Sequence, residues 1–373
     1  MAPGQENTAP FTPGLQLSKS FYWEAVRPIL DAEFADLPHA AALIGSGSEV
    51  LGFDDLMSSD HHWGPRVMLF LSEADHPSYA GAIVETLRHK LPNEFHGYPT
   101  GFSDPDPNDN GVQLLQATQS GPVNHRVEVL TIRGFVQDYL NFDIDQPIAA
   151  ADWLTFPQQK LRALTAGMVY HDAIGLEAER ARFGWYPRDV WLYLLAAGWT
   201  RIGQEEHLMG RAGLVGDELG SALIGSRLVR DVMRLTFLME RQYAPYPKWF
   251  GTAFNRLTCA TALETPLFAA QISPTWQERE AHLVVAYEVI ARLHNRLGIT
   301  DPMPEEAIFF FGRPFRVMAL HGFADAITAQ IQDPTVQQIA QRRAIGSVDL
   351  FSDSTDLLEN RDLRPLLCAL YAS

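Results

Sequence analysis

The spacing of apolar residues changes character once along this 373-residue chain, near residue 155. Before that point three short stretches read as strands: Ala41–Ile44, Arg66–Leu71 (RVMLFL) and Val127–Ile132 (VEVLTI). In the last of these, alternation sends every second side chain to one face of a sheet. Between them, apolar positions three or four apart predict helices over Leu15–Phe34 and His76–Leu91. Pro28 lies inside the first and predicts a kink or break, because proline lacks an N–H and crowds the carbonyl four residues back. From Pro157 onward the pattern is helical throughout, over Gln158–Tyr170, Arg188–Met209, Asp217–Gln242, Trp276–Leu297 and Pro334–Ile345. Gly- and Pro-rich clusters separate those helices. This order specifies an α+β domain with a small mixed sheet, followed by an all-helical domain. The expected boundaries are a flexible arm over 1–13, the α+β domain over 14–155 and the helical domain over 156–373.

Charge narrows the partners. With 29 basic and 45 acidic residues the net charge is −16, which opposes non-specific binding to nucleic acid or anionic membrane. The two cysteines, Cys259 and Cys368, make neither a zinc module nor a disulfide framework. The first residues lack a basic segment followed by an apolar one, and no apolar run reaches about 18 residues. A cytoplasmic protein acting on a small molecule or another protein is the expectation.

The chemistry concentrates in LIGSGSEVLGFDDLMSSDHHWGPRVMLF, Leu43–Phe70. Three familiar readings of its glycines fail. Phe53-Asp54 stands where a P-loop needs Lys followed by Ser or Thr, Val50 stands at the third glycine of a dinucleotide fingerprint, and neither Ser46 nor Ser48 is flanked as a nucleophile elbow requires. What remains is an apolar strand ending in Gly45-Ser46, thirteen residues (Gly47–Ser59), then Asp60-His61-His62-Trp63 and a second strand.

That arrangement resembles the nucleotidyltransferase superfamily of DNA polymerase β and the aminoglycoside nucleotidyltransferases. There, Gly-Ser or Gly-Gly precedes an Asp-x-Asp or Asp-x-Glu pair, and a third carboxylate comes from a later strand. The resemblance implies that Gly45, Ser46 and Ser48 face a triphosphate, since small residues let the backbone approach it and donate to it. It also implies that Asp60 and the strand acid Glu128 hold Mg²⁺ or Mn²⁺, with Val127 and Val129 on the opposite, buried face. His62 occupies the second acidic position. Imidazole is a poor Mg²⁺ ligand and suits Mn²⁺ or Zn²⁺ better. His61, its neighbour, points to the other side of a strand.

A closer resemblance is to a bacterial family, domain of unknown function 4037, in the same superfamily. It is carried by GLQLSKSFYWEAVRPIL, DWLTFPQQKL, FGWYPRDVWLYLLAAGW, LHNRLGI and the long stretch from Gly216 to Phe254, within Gly14–Ile299. It implies Asp where this chain has His62.

Other residues join the expected site. Arg66 could reach a phosphate bidentately or form a structural ion pair. In Tyr243–Phe250 (YAPYPKWF), Lys248 could neutralise phosphate while Tyr246 stacks on a base, or the stretch is a rigid corner between helices. Asp217 and Glu218 suit a helix first turn. Asp104–Asp109 is a solvated loop, and His171-Asp172 carries no assignment.

Three functions compete. The first is metal-dependent transfer of a nucleoside monophosphate from an NTP to a hydroxyl of a small molecule or protein, with Asp60 and Glu128 catalytic. The second is a degenerate, non-catalytic relative that binds nucleotide or a partner. The third is a histidine-containing, Zn²⁺- or Mn²⁺-dependent hydrolase.

Overall fold

The helical pattern of Leu15–Phe34 folds as α1 (Gly14–Phe21), a π turn (Tyr22–Val26) and α2 (Arg27–Glu33) in unbroken succession. The π turn is the answer to Pro28. The Arg27 N–H reaches the Tyr22 carbonyl five residues back, so the chain widens just before the proline and then resumes its α form. These are features of a computed structural model, which describes residues 11–57, 63–108, 111–342 and 344–372.

The chain then forms β1 (His39–Leu43), β2 (Arg66–Leu71), α3 (His76–Lys90), β3 (Arg126–Thr131) and α4 (Ile132–Leu140). Thr131 ends β3 and caps α4 at once, its hydroxyl accepting the Gly134 N–H at 2.9 Å. After α5 (Ala150–Thr155) come α6 (Gln158–Thr165), β4 (Met168–Asp172) and α7 (Leu176–Ala181). The four strands form one mixed sheet in the order β3-β2-β1-β4. β1 is antiparallel to β2 and β4, and β2 is parallel to β3 across α3.

On one face of the sheet Ala41, Leu43, Val67, Leu69, Leu71 and Val127 join Leu17, Phe21 and Leu30 from the first helices and Ile83 and Leu87 from α3. Each large apolar side chain so buried stabilises the fold by about 1.5–3 kcal/mol. This is the core that fixes the sheet.

One helix differs from expectation. The pattern over Gln158–Tyr170 predicts a single helix, but α6 stops at Thr165 and the chain continues as the edge strand β4. Gly167 makes the change of direction, at φ +77°, and a Cβ there would lie 2.2 Å from the Leu43 carbonyl oxygen. Only glycine fits.

Two compact units result: the chain up to Pro147 with Lys160–Gly184, and Ile148–Gln159 with Trp185–Ser373. The second is helical. It contains α8 (Arg188–Leu214), α9 (Glu218–Met239), α10 (Pro247–Phe254), α11 (Ala260–Ile272) and α12 (Trp276–Leu297), followed by shorter pieces that include α13 (Phe323–Thr328) and α14 (Pro334–Arg342). Asp217 caps α9 by accepting the Gly220 N–H at 2.7 Å. The α+β class, with a small mixed sheet and a helical region after it, is as the sequence specifies. Among the described residues no helix is long and apolar enough to cross a membrane.

Candidate functional site

β1 leaves the sheet at Gly45, in the left-handed region at φ +82°, whose N–H donates to the Ala163 carbonyl at 3.0 Å. Gly45 is therefore a hinge whose own N–H is committed, rather than a donor to a ligand. Gly47 follows at φ +146°, and a Cβ there would lie 2.6 Å from the Glu49 carboxylate and 2.7 Å from Arg66 Nη2. The turn passes so close to this ion pair that a side chain has no room.

Arg66 opens β2 and is buried with Glu49, their side chains only 10% and 5% exposed. Its Nε and Nη2 donate to Glu49 Oε1 at 2.9 and 2.5 Å, and Nη2 also donates to the Ser46 carbonyl at 3.0 Å. Of the two roles open to Arg66 in the sequence, the geometry gives the structural one: it holds the turn from beneath. The remaining loop closes through Phe53 N–H to the Ser48 carbonyl and Gly167 N–H to the Val50 carbonyl, at 2.9 and 3.0 Å. Further along, the Asp54 carboxylate accepts the Gly14 N–H at 2.7 Å and the Trp63 indole N–H at 3.0 Å.

These bonds leave a consequence on the outer side of the turn. The backbone N–H groups and hydroxyls of Ser46 and Ser48, and the N–H of Gly47, have no partner among the described residues. Ser46 is exposed and Ser48 half-buried. Backbone and hydroxyl donors grouped on one turn are groups that can donate to an anion.

Glu128 stands on the same end of the sheet. Antiparallel pairing sets Ala42 of β1 opposite Met68 of β2, and parallel pairing sets Met68 beside Glu128 of β3. Gly45 comes three residues after Ala42, so the turn and the start of β3 share one edge. Glu128 is 45% exposed, and its Oε1 lies 3.6 Å from Arg126 Nη2. Burial and the neighbouring Arg66 charge hold the Arg126 guanidinium below its ordinary value, while Glu128 pulls it back. Val127 is buried in the core and Val129 packs against it, on the opposite face from Glu128.

Asp60, His61 and His62 lie outside the described residues. Of the three expected metal ligands only Glu128 is described, and no group of three or more His, Cys, Asp or Glu among the described residues could hold a metal ion. Tyr246 and Lys248 belong to the second unit, at the start of α10. There the Trp249 indole N–H donates to the Tyr246 hydroxyl at 2.7 Å, and Lys248 Nζ sits 4.8 Å from the centre of the Trp249 ring. Glu49 and Asp54, which shape the site, escaped the sequence reading. Their only signal was an acid between loop glycines, and their partners lie in distant segments.

The middle of the chain, residues 153–250, matches the model of a family described as a domain of unknown function (DUF4037). This is the family the sequence resembles, over about a quarter of the chain. No curated protein matches. Among solved structures, the crystal structure of a nucleotidyltransferase-like protein from Exiguobacterium sibiricum is similar at a TM-score of 0.28 and 9% identity, over 75% of this chain and 81% of that one.

Proposed function

We propose that the chain binds a nucleoside triphosphate at the Gly45–Ser48 turn and transfers its nucleoside monophosphate to a hydroxyl acceptor. The observation that supports this most directly is the row of donors on Ser46, Gly47 and Ser48 that have no partner among the described residues, on a turn held from below by Arg66 and Glu49. Those donors suit the oxygens of a polyphosphate.

In this reading Asp60, His62 and Glu128 would hold a divalent metal. Two carboxylates and an imidazole fit Mn²⁺ better than Mg²⁺. A bound metal would neutralise phosphate charge and align the attack. The acceptor oxygen forms a bond to the α-phosphorus as the bond to the bridging oxygen breaks, and pyrophosphate leaves. Glu128 is exposed on the same end of the sheet as the turn, and its carboxylate would take the proton released by the acceptor.

One sequence observation favours a second reading, nucleotide binding without turnover. His62 replaces the second carboxylate and removes one negative charge from the ligand set. Transfer of label from each NTP in Mn²⁺ separates the two. Activity in the wild type that disappears in Asp60→Ala supports transfer, whereas activity that arises only in His62→Asp supports the binding-only reading. No activity in either, with no nucleotide bound, defeats both.

A further inference from the structure

At the opposite end of β1 from the Gly45 turn, roughly 20 Å away at about 3.3 Å per extended residue, a cavity of about 500 Å³ opens between α2, β1, β2 and β4. Three departures from regular backbone meet around it. The π turn Tyr22–Val26 is one, and Asp36, a non-glycine residue at φ +67°, is another. The third is a shift of register in β4, where Ala41 faces His171 but Ala42 faces Val169, leaving Tyr170 as an extra residue. The bulge lets two consecutive side chains, Tyr170 and His171, both lie against Tyr22, each with ring centres 6.3 Å away. Bulges and π turns re-aim side chains in this way at functional sites.

The polar wall is ordered by a directional chain of hydrogen bonds. His39 Nδ1 lies 3.0 Å from the Leu37 carbonyl, which can only accept, so Nδ1 carries the proton. Nε2 is then the acceptor for the Tyr22 hydroxyl at 2.9 Å, and Arg27 Nη1 donates to that hydroxyl at 3.3 Å. His39 is consumed by this chain. The His171 ring, centred 4.8 Å from that of His39, is not: its nitrogens make no hydrogen bond with any described residue. The Asp36 carboxylate also has no partner among the described residues. Asp31 gives only Oδ1 to Arg27 Nε, at 2.6 Å, and among the described residues its Oδ2 and Arg27 Nη2 have no hydrogen-bond partner.

Among the described residues the cavity therefore offers a guanidinium nitrogen, an imidazole and the oxygens of two exposed carboxylates at its mouth, none of them committed to a protein partner. Phe34, Ala35, Leu37 and Pro38 form its accessible apolar side, over the buried Leu30, Leu69, Leu71 and Ile83. A ligand with one charge answers half of that wall, whereas a zwitterion answers all of it. We propose that this cavity binds a small zwitterion with an apolar side chain, the chemistry of an apolar α-amino acid. The carboxylate meets Arg27 and His171, the ammonium meets Asp31 and Asp36, and the side chain lies against Phe34, Leu37 and Pro38. A volume of about 500 Å³ is within the range of small-molecule sites. The site is independent of the nucleotide reading.

Calorimetric titration of the whole chain with L-leucine and L-phenylalanine tests it. The expected result is saturable binding of one molecule per chain. Isopentylamine and isocaproate, which each keep one of leucine's charges, bind at least about tenfold more weakly, as does glycine. Asp36→Asn weakens leucine binding by about tenfold and leaves the fold intact, because asparagine tolerates the left-handed region. His171→Ala weakens it likewise, and the melting temperature of each variant shows that it is folded. The proposal is overturned if neither amino acid binds, if the amine or the acid alone binds as tightly as leucine, or if folded Asp36→Asn binds leucine as the wild type does.

Discussion

Arg66 and Glu128 are the first and third residues of adjacent parallel strands at the same end of the sheet, yet their surroundings give them opposite kinds of work. Arg66 is buried and divided between Glu49 and the Ser46 carbonyl. Removing one partner strands a buried charge, so Glu49→Gln is expected to lower the unfolding free energy in urea by about 3–5 kcal/mol. A loss below about 1 kcal/mol would mean that the pair is not what holds the turn. Glu128 is exposed, and Glu128→Gln should change stability by less than about 0.5 kcal/mol while abolishing nucleotidyl transfer. Stability and transfer measured on that one variant check both halves. Gly47→Ala should fail on stability, since its Cβ would meet both Glu49 and Arg66 and its backbone is strained for any other residue. That Arg66 anchors the turn was not legible in the sequence, because nothing in the chain marks Glu49, seventeen residues earlier, as its partner. The facing of Glu128 was legible, because alternation in VEVLTI fixes it without reference to any other segment.

At the scale of elements, the strands that read correctly are those whose apolar residues leave no alternative. β2 is buried along its whole length, as a run of one basic and five apolar residues near a sheet centre must be. β4 was hidden for a physical reason. It is an edge strand with a bulge, so its side chains do not alternate, and it follows a genuine helix after only two residues. Its one sequence signal is Gly167. Gly167→Ala is expected to destabilise the first unit strongly, and hydrogen exchange should show the loss first in the β1–β4 pairing. An unaltered exchange pattern would contradict that placement. Pro28 was correctly read as a disturbance, but the disturbance took the form of a π turn, which costs no hydrogen bond at Arg27. In the helical unit Asp217 is a cap, and Asp217→Ala should cost about 1 kcal/mol, measured by chemical unfolding; no change would remove it from that role.

For the whole molecule, charge and burial set the response to solution conditions. The net charge of −16 leaves a polyanion such as an NTP to be attracted only where local donors and a metal outweigh the field. Glu206 on α8 contributes a defined pH dependence. Burial pushes its carboxyl up to about 7, against the N–H groups of Met318 and Ala319, which donate to it at 2.8 and 3.0 Å. From its ordinary value of 4.5 up to about 7 the native chain keeps a proton that the unfolded chain has lost. The stability this group contributes therefore falls as pH rises through that window. Relative to Glu206→Gln, the wild type should lose up to about 3 kcal/mol between those pH values in urea unfolding, and parallel curves would contradict the assignment. The fold class was legible from the change in apolar spacing alone, whereas the site was legible only as a turn and a strand acid. The bonds that make the turn rigid join α6, β2 and β4, and no local pattern records them.

The central claim is that the Gly45–Ser48 turn receives a nucleoside triphosphate. Calorimetric titration of the whole chain with each of the four NTPs in Mn²⁺ tests it most directly. The prediction is saturable binding of at least one NTP, lost in Asp60→Ala, weakened in Glu128→Gln and unchanged in His171→Ala. Absence of binding for all four NTPs, or binding that folded Asp60→Ala and Glu128→Gln retain in full, would contradict it.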